Sequence, residues 1–318
     1  MVGAKFKYAA LLALALGWQA NAAGAQGLTW EGGVRYWYSS GKINFGFANG
    51  DPAFGDPTST LDWTGLTAQT GELFARATHD SGFYLKGTIG GGDIGGGKII
   101  DRDFFAGQVK FSDTTSQVRD GNLRYGTIDF GWGTPFARGR DRIGTFIGFQ
   151  YWRERAIAYG VLCNPDDVGG AFCGPPGTLL VPFDVASLGY EPTAYGIRIG
   201  FDARYEFAPG FTISGEAAWL PFVRLKNLDS HFLRVDLAPS PNIIDTAKTA
   251  MGFTAEAFLN YALTRHVEIG VGARYWGVYS RSGNVVFLPA GGGIAGPFPL
   301  RNLDMQRVGF LVQLKGEM

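Results

Sequence analysis

From Tyr195 to Phe207 every second residue is apolar: Tyr195, Ile197, Ile199, Phe201, Ala203, Tyr205 and Phe207 alternate with Gly196, Arg198, Gly200, Asp202, Arg204 and Glu206. A period of two sends successive side chains to opposite faces of a strand, and a helix cannot separate these two sets. The same rule sorts Leu28, Trp30, Val34, Tyr36 and Tyr38 from Thr29, Glu31, Arg35 and Ser39. It sorts Val267, Ile269, Val271, Ala273 and Tyr275 from Glu268 and Arg274, and Val308, Phe310, Val312 and Leu314 from Arg307 and Gln313. A soluble sandwich can alternate in this way too. Aromatics near the ends of the apolar stripes, with charges of both signs on the other face, fit a transmembrane barrel instead: lipid outside, a polar interior within.

The N-terminus agrees with export. Lys5 and Lys7 precede the apolar stretch Tyr8 to Leu16, which is too short to span a bilayer, and Ala20-Asn21-Ala22 or Ala23-Gly24-Ala25 offers a small-residue cleavage site. Residues 1–25 are therefore expected to be a signal peptide and 26–318 a single barrel domain. Beyond that stretch no apolar run is long enough for a helical span. A formal net charge of zero gives no case for nucleic acid. Cys163 and Cys173 sit in the Gly/Pro/Asp-rich stretch VLCNPDDVGGAFCGPP. In an oxidising compartment they are expected to pair and staple a loop. With no histidine nearby they make only half a metal site.

Connections fall into two classes. His79-Asp80-Ser81-Gly82, Phe207-Ala208-Pro209-Gly210 and Leu263-Thr264-Arg265-His266 read as tight turns, whereas 40–60, 90–120, 153–193, 222–250 and 277–304 are long and rich in Gly, Pro and polar residues. Strands are expected near 28–39, 65–78, 83–90, 121–132, 142–152, 194–207, 211–221, 252–263, 267–277 and 305–315. That makes an antiparallel up-and-down barrel of about ten strands, a monomer, with short turns toward the periplasm and long loops outside. A barrel of that size is narrow enough for side chains to fill. The inward set, Glu31, Arg35, Lys86, Arg198, Asp202, Arg204, Glu206, Glu256, Glu268, Arg274 and Arg307, can pair internally, which favours a plugged scaffold over an open pore.

Two short motifs remain. Asp101-Arg102-Asp103 follows the glycine run at 90–97 in the second long stretch, and Asp229-Ser230-His231 lies in the fourth. Alternation keeps Asp101 with Asp103, and Asp229 with His231, on one side of an extended segment. The chain has three histidines; His79 and His266 fall in the short turns, so His231 alone lies at the long-loop end. A histidine beside a carboxylate is held in one tautomer and kept basic, and a further carboxylate pair can hold a water for attack on a carbonyl.

IIDRDF and LDSHF, with weaker matches at Ser40-Gly41-Lys42 and Leu61-Asp62-Trp63, make the chain resemble the omptins, outer-membrane aspartyl-type proteases of Gram-negative bacteria. The resemblance implies a ten-stranded barrel in which His231 is the general base oriented by Asp229, while Asp101 and Asp103 position water. It implies peptide or protein substrates at the cell surface and no cofactor besides lipopolysaccharide as activator, with Arg153 matching one lipopolysaccharide-binding position. Omptins that cut between basic residues carry acids in the pocket for the residue before the cleaved bond; those places here look like Phe45 and Asn227. Dibasic specificity is therefore not expected. Other classes that fit such a barrel are a catalytically silent adhesin or structural protein, a small porin and a lipid-modifying enzyme.

Overall fold

The computed structural model describes residues 27–135 and 141–318; the expected signal peptide, 1–25, lies outside the described residues. Ten strands form the molecule: β1 (Leu28–Phe47), β2 (Ser59–His79), β3 (Phe83–Phe105), β4 (Val109–Pro135), β5 (Arg142–Cys163), β6 (Leu179–Ala208), β7 (Phe211–His231), β8 (Ile243–Ala262), β9 (Val267–Phe287) and β10 (Ala295–Glu317). Each pairs antiparallel with its sequence neighbour, and β1 closes on β10. Closure leaves no unpaired sheet edge, which is what allows a sheet to stand in lipid.

Outward side chains explain where the membrane lies. On β5, Ile143, Ile147, Phe149 and Tyr151 are exposed apolar residues, and the stripe then changes to Arg153 and Arg155. Nine residues of a strand rising about 3.3 Å each and tilted about 40° cover roughly the 25 Å of an apolar belt. Residues Trp152–Cys163 of β5 continue above it.

That continuation corrects several sequence expectations. The strands run well past the predicted ends: 40–47, 91–105 and 222–231 are strand, not loop. Asp101 and Asp103 are therefore on β3, and Asp229 and His231 on β7, rather than in the second and fourth loops. Arg153, next to the expected strand end at 152, lies within its strand instead, because β5 continues to Cys163. The physical reason is common to all three. Above the belt the outer face meets water, so apolar alternation stops there, while the hydrogen-bond ladder does not need it. The glycine run at 90–97 belongs to β3 as well. Gly90 faces the interior, and a Cβ there would come within 2.5 Å of the Tyr125 ring, so its bareness makes room for an aromatic plug.

The interior is filled in layers, which can be followed up β1. At the short-turn end Glu31 meets Arg142 and, at 3.7 Å, Lys315; Lys315 also lies 2.9 Å from Glu268. Next, Arg35 and Arg274 interlock with Glu72 and Glu256 at 2.6–3.2 Å. Lys86 and Arg198 share Glu216 at 2.6 and 2.5 Å, and Arg76 reaches Asp202 at 2.8 Å. Above them Trp37 packs edge-on against Tyr125 and Trp152, and Trp152 stacks on Trp276 with centroids 4.0 Å apart. Arg307 and Glu154 pair over this aromatic layer. An aliphatic layer with Ile43, Leu66, Ile94, Leu123, Leu225 and Val278 then supports the mouth.

Candidate functional site

The acids and the histidine reach the mouth because two strands change parity on the way up. On β3 the buried residues Tyr84 and Ile94 are even-numbered, whereas above Gly95-Gly96-Gly97 buried Ile99 is odd, and Asp101 and Asp103 follow it inward. Gly97 takes a φ of +133° and Gly65 on β2 one of +65°, and the β2–β3 pairing is interrupted between them before the same register resumes. On β7, Thr212, Ala218 and Leu220 are buried below, and Val223, Leu225, Asn227 and Asp229 above. The switch falls at Pro221, where two residues of β7, Leu220 and Pro221, oppose one of β6, Arg198. Such irregularities flip every later side chain to the other face, and proline, which has no N–H to donate, is tolerated at a bulge. Without the two irregularities both motifs would face outward.

Within the ring of ten, β3 and β7 stand on opposite sides, so the two pairs face each other across the mouth. His231 Nε2 lies 3.3 Å from Asp229 Oδ2. The backbone of His231 is pinned by Asn242: its N–H donates to Asn242 Oδ1 at 2.9 Å, and Asn242 Nδ2 donates back to the His231 carbonyl at 3.1 Å. Asp103 accepts from the hydroxyl of Ser59, its register partner on β2. Asp101 feels His231, Asp229 and Asp103, so the two pairs form one electrostatic unit. Burial disfavours an imidazolium, but the charge and hydrogen bond of Asp229, helped by Asp101, outweigh it and push His231 up to about 8. Burial also raises Asp101 and Asp103; Asp101 is raised further by its neighbour Asp103, and His231 pulls against both. Asp101, pushed up to about 8, holds a proton near neutrality.

Phe45 and Asn227 are both brought to the inner wall beside this unit, and both are buried. Phe45 packs on Tyr190 at 6.2 Å and on Phe47 at 6.0 Å, and Trp63 covers Tyr190 at 5.5 Å. Asn227 accepts from the Glu191 N–H at 3.0 Å and donates to Asp245 at 2.6 Å. Arg153 points outward above Tyr151, pairs with Glu191 at 2.6 Å and has Arg124 as its β4 register partner. Cys163 and Cys173 are joined in a disulfide at the β5–β6 loop. Asp245, Tyr190, Asn242 and Ser59 were not identifiable from sequence. They carry no motif of their own, and only strand register sets them beside the dyad.

The barrel is an omptin-like outer-membrane fold. Among solved structures it resembles the outer membrane protease OmpT from Escherichia coli at a TM-score of 0.74, with 13% identity over 91% of this chain and 97% of that one. The translocator domain of the autotransporter NalP from Neisseria meningitidis matches with 10% identity over 96% and 93% of the two chains, at a TM-score of 0.33. No family model and no curated protein sequence matches the chain.

Proposed function

We propose that this protein is an omptin-like endopeptidase of the bacterial outer membrane, with its long loops facing the cell exterior. The observation that carries the reading is the placement of Asp101 and Asp103 on β3 opposite Asp229 and His231 on β7 at a closed-bottomed mouth. With Nε2 of His231 held by Asp229, Nδ1 takes a proton from water as the water oxygen attacks the peptide carbonyl. The proton on Asp101 is available to the carbonyl oxygen, and His231 returns its own proton to the leaving amine. Phe45 and Asn227 bring no charge to the pocket, so it lacks a Coulombic preference for Arg or Lys. Arg153, with Arg124 beside it, is the place for a phosphate of lipopolysaccharide on the outer wall.

The test is cleavage of an unbiased peptide library by the refolded barrel with lipopolysaccharide, with His231→Ala as the control. No cleavage by the wild-type protein would sink the reading. The base must be unprotonated to act and its pKa is raised to about 8. Activity (kcat/KM) is therefore expected to rise with pH through about 8, and a profile already flat from pH 6 would exclude His231 as the base. A porin is disfavoured because the Trp37–Trp152–Trp276 layer and the aliphatic layer above it close the bore over a cavity of about 140 Å³ among the charged residues. In a planar bilayer the protein is expected to give no stepwise conductance, and well-defined single-channel openings would count against the sealed bore.

A further inference from the structure

Behind the dyad lies an acid that the mechanism above does not use. Asp245 on β8 is the register partner of Asn227, and Asp229 lies diagonal to it on the same inner face of β7. Asp245 is 0% and Asp229 1% exposed, and among the described residues neither Oδ1 atom meets a hydrogen-bond donor. The chemistry of the neighbours fixes where a proton must sit. Asn227 Oδ1 is bound by the backbone N–H of Glu191, so its orientation is set and Nδ2 donates to Asp245 Oδ2. Asp245 Oδ2 is therefore an acceptor, and any proton on this carboxyl is on Oδ1.

Resting on the peptidase reading only for its catalytic meaning, we propose that Asp245 is a neutral positioning residue whose Oδ1–H donates to Asp229 Oδ1, leaving Asp229 Oδ2 to hold His231. One proton then partners both orphaned oxygens. Two buried carboxyls on adjacent strands disfavour each other's ionisation, and Asp229 is the one in contact with the imidazole. Burial and the Asp229 charge push Asp245 well above the carboxylate range, in the same direction. The groups facing this unit are Tyr190 on β6, Asp101 and Asp103 on β3, Arg234 in the β7–β8 loop, and Asn227 beside Asp229. The Tyr190 hydroxyl also acts on Asp245, but as the smallest of the influences on it, so burial and the Asp229 charge still keep Asp245 neutral. A shared proton weakens Asp229 as a partner for the imidazolium, so Asp245 keeps His231 from becoming too basic to release its proton near pH 8.

The experiment reads His231 directly. The chain has three histidines, so the isotope-labelled refolded barrel gives three imidazole titrations by NMR, and His231→Ala assigns the one of interest. Asp245→Asn keeps a neutral donor to Asp229 and an acceptor for Asn227. Its His231 midpoint is expected within about 0.3 unit of wild type. Asp245→Leu removes the donor, and its midpoint is expected to rise by about one unit. A fall of about one unit in Asp245→Asn would mean that Asp245 is ionised in the wild type and overturns the proposal. An unmoved midpoint in Asp245→Leu would overturn it as well. If Asp245→Leu fails to fold, the asparagine variant still decides. These titrations need no substrate, so a barrel that cleaves nothing leaves the inference testable, and a barrel that cleaves with an ionised Asp245 refutes it alone.

Discussion

Replacing His231 by alanine is expected to abolish peptide cleavage while leaving a barrel that still folds and still shows heat-modifiable migration. Nothing else among the facing groups can take its place. Asp229 is bound to the imidazole and buried, and Asp101 already holds a proton near neutrality. Loss of a general base costs about 10²–10⁴-fold, and here the same imidazole must also protonate the leaving amine, which puts the effect at the upper end. Asp101→Ala is expected to fall to a similar level for a different reason: the proton that polarises the carbonyl disappears. The two variants are separated by pH. Asp101→Ala removes a carboxyl that already carries its proton below about pH 8, so whatever activity remains is expected to keep a midpoint close to that of the wild type, whereas His231→Ala has no midpoint in this range. Measuring kcat and KM across pH 5–10 for both checks the assignment. Residual His231→Ala activity within about tenfold of wild type would remove His231 from the mechanism.

How much of this was legible in the sequence depends on which face of the wall a residue occupies and at what height. Within the apolar belt, alternation read the strands correctly, because lipid outside and paired charges inside make opposite demands at every step. Glu31, Arg35, Lys86, Arg198, Asp202, Arg204, Glu256, Glu268, Arg274 and Arg307 are all inside and paired, as their spacing implied, whereas Glu206, expected to pair with them, sits half-buried at the short turn, where it accepts from the Gly210 N–H. Above the belt the outer face tolerates Arg124, Arg155 and Lys226, so the period-two signal fades where the ladder continues. The motifs themselves were visible as residue types, but what turns them inward was not. An interruption of pairing at Gly95-Gly96-Gly97 or a one-residue bulge at Pro221 leaves no pattern of its own in a single sequence. The cluster around Asp229 was hidden more deeply, since Tyr190 and Asp245 join it only through the registers of β6 and β8 with β7.

Arg307→Leu is expected to be the most destabilising single change in the interior. Strands β5 and β10 are diametrically opposed in the ring, and the ion pair from Glu154 to Arg307 spans the bore between them. Its side chains are 0% and 3% exposed, so neither charge can turn to solvent if the other is removed. Arg307 also donates to the Leu66 carbonyl at 2.7 Å and to the Ser39 hydroxyl at 3.2 Å, tying β10 to β1 and β2. The sequence makes room for it: Gly41 is its register partner on β1, where a Cβ would sit 2.5 Å from the guanidinium. Removing the arginine leaves a carboxylate stranded above the Trp37–Trp152–Trp276 layer, a loss of about 3–5 kcal/mol. The denaturant midpoint of the refolded barrel is the measurement. The double variant Glu154→Leu with Arg307→Leu, which strands no charge, is expected to recover most of that loss, because a buried pair contributes little net stability over apolar side chains of similar volume. If the double variant is instead as unstable as Arg307→Leu, the contribution lies in the guanidinium's hydrogen bonds to Leu66 and Ser39, and the cross-bore pair is incidental to the seal beneath the mouth.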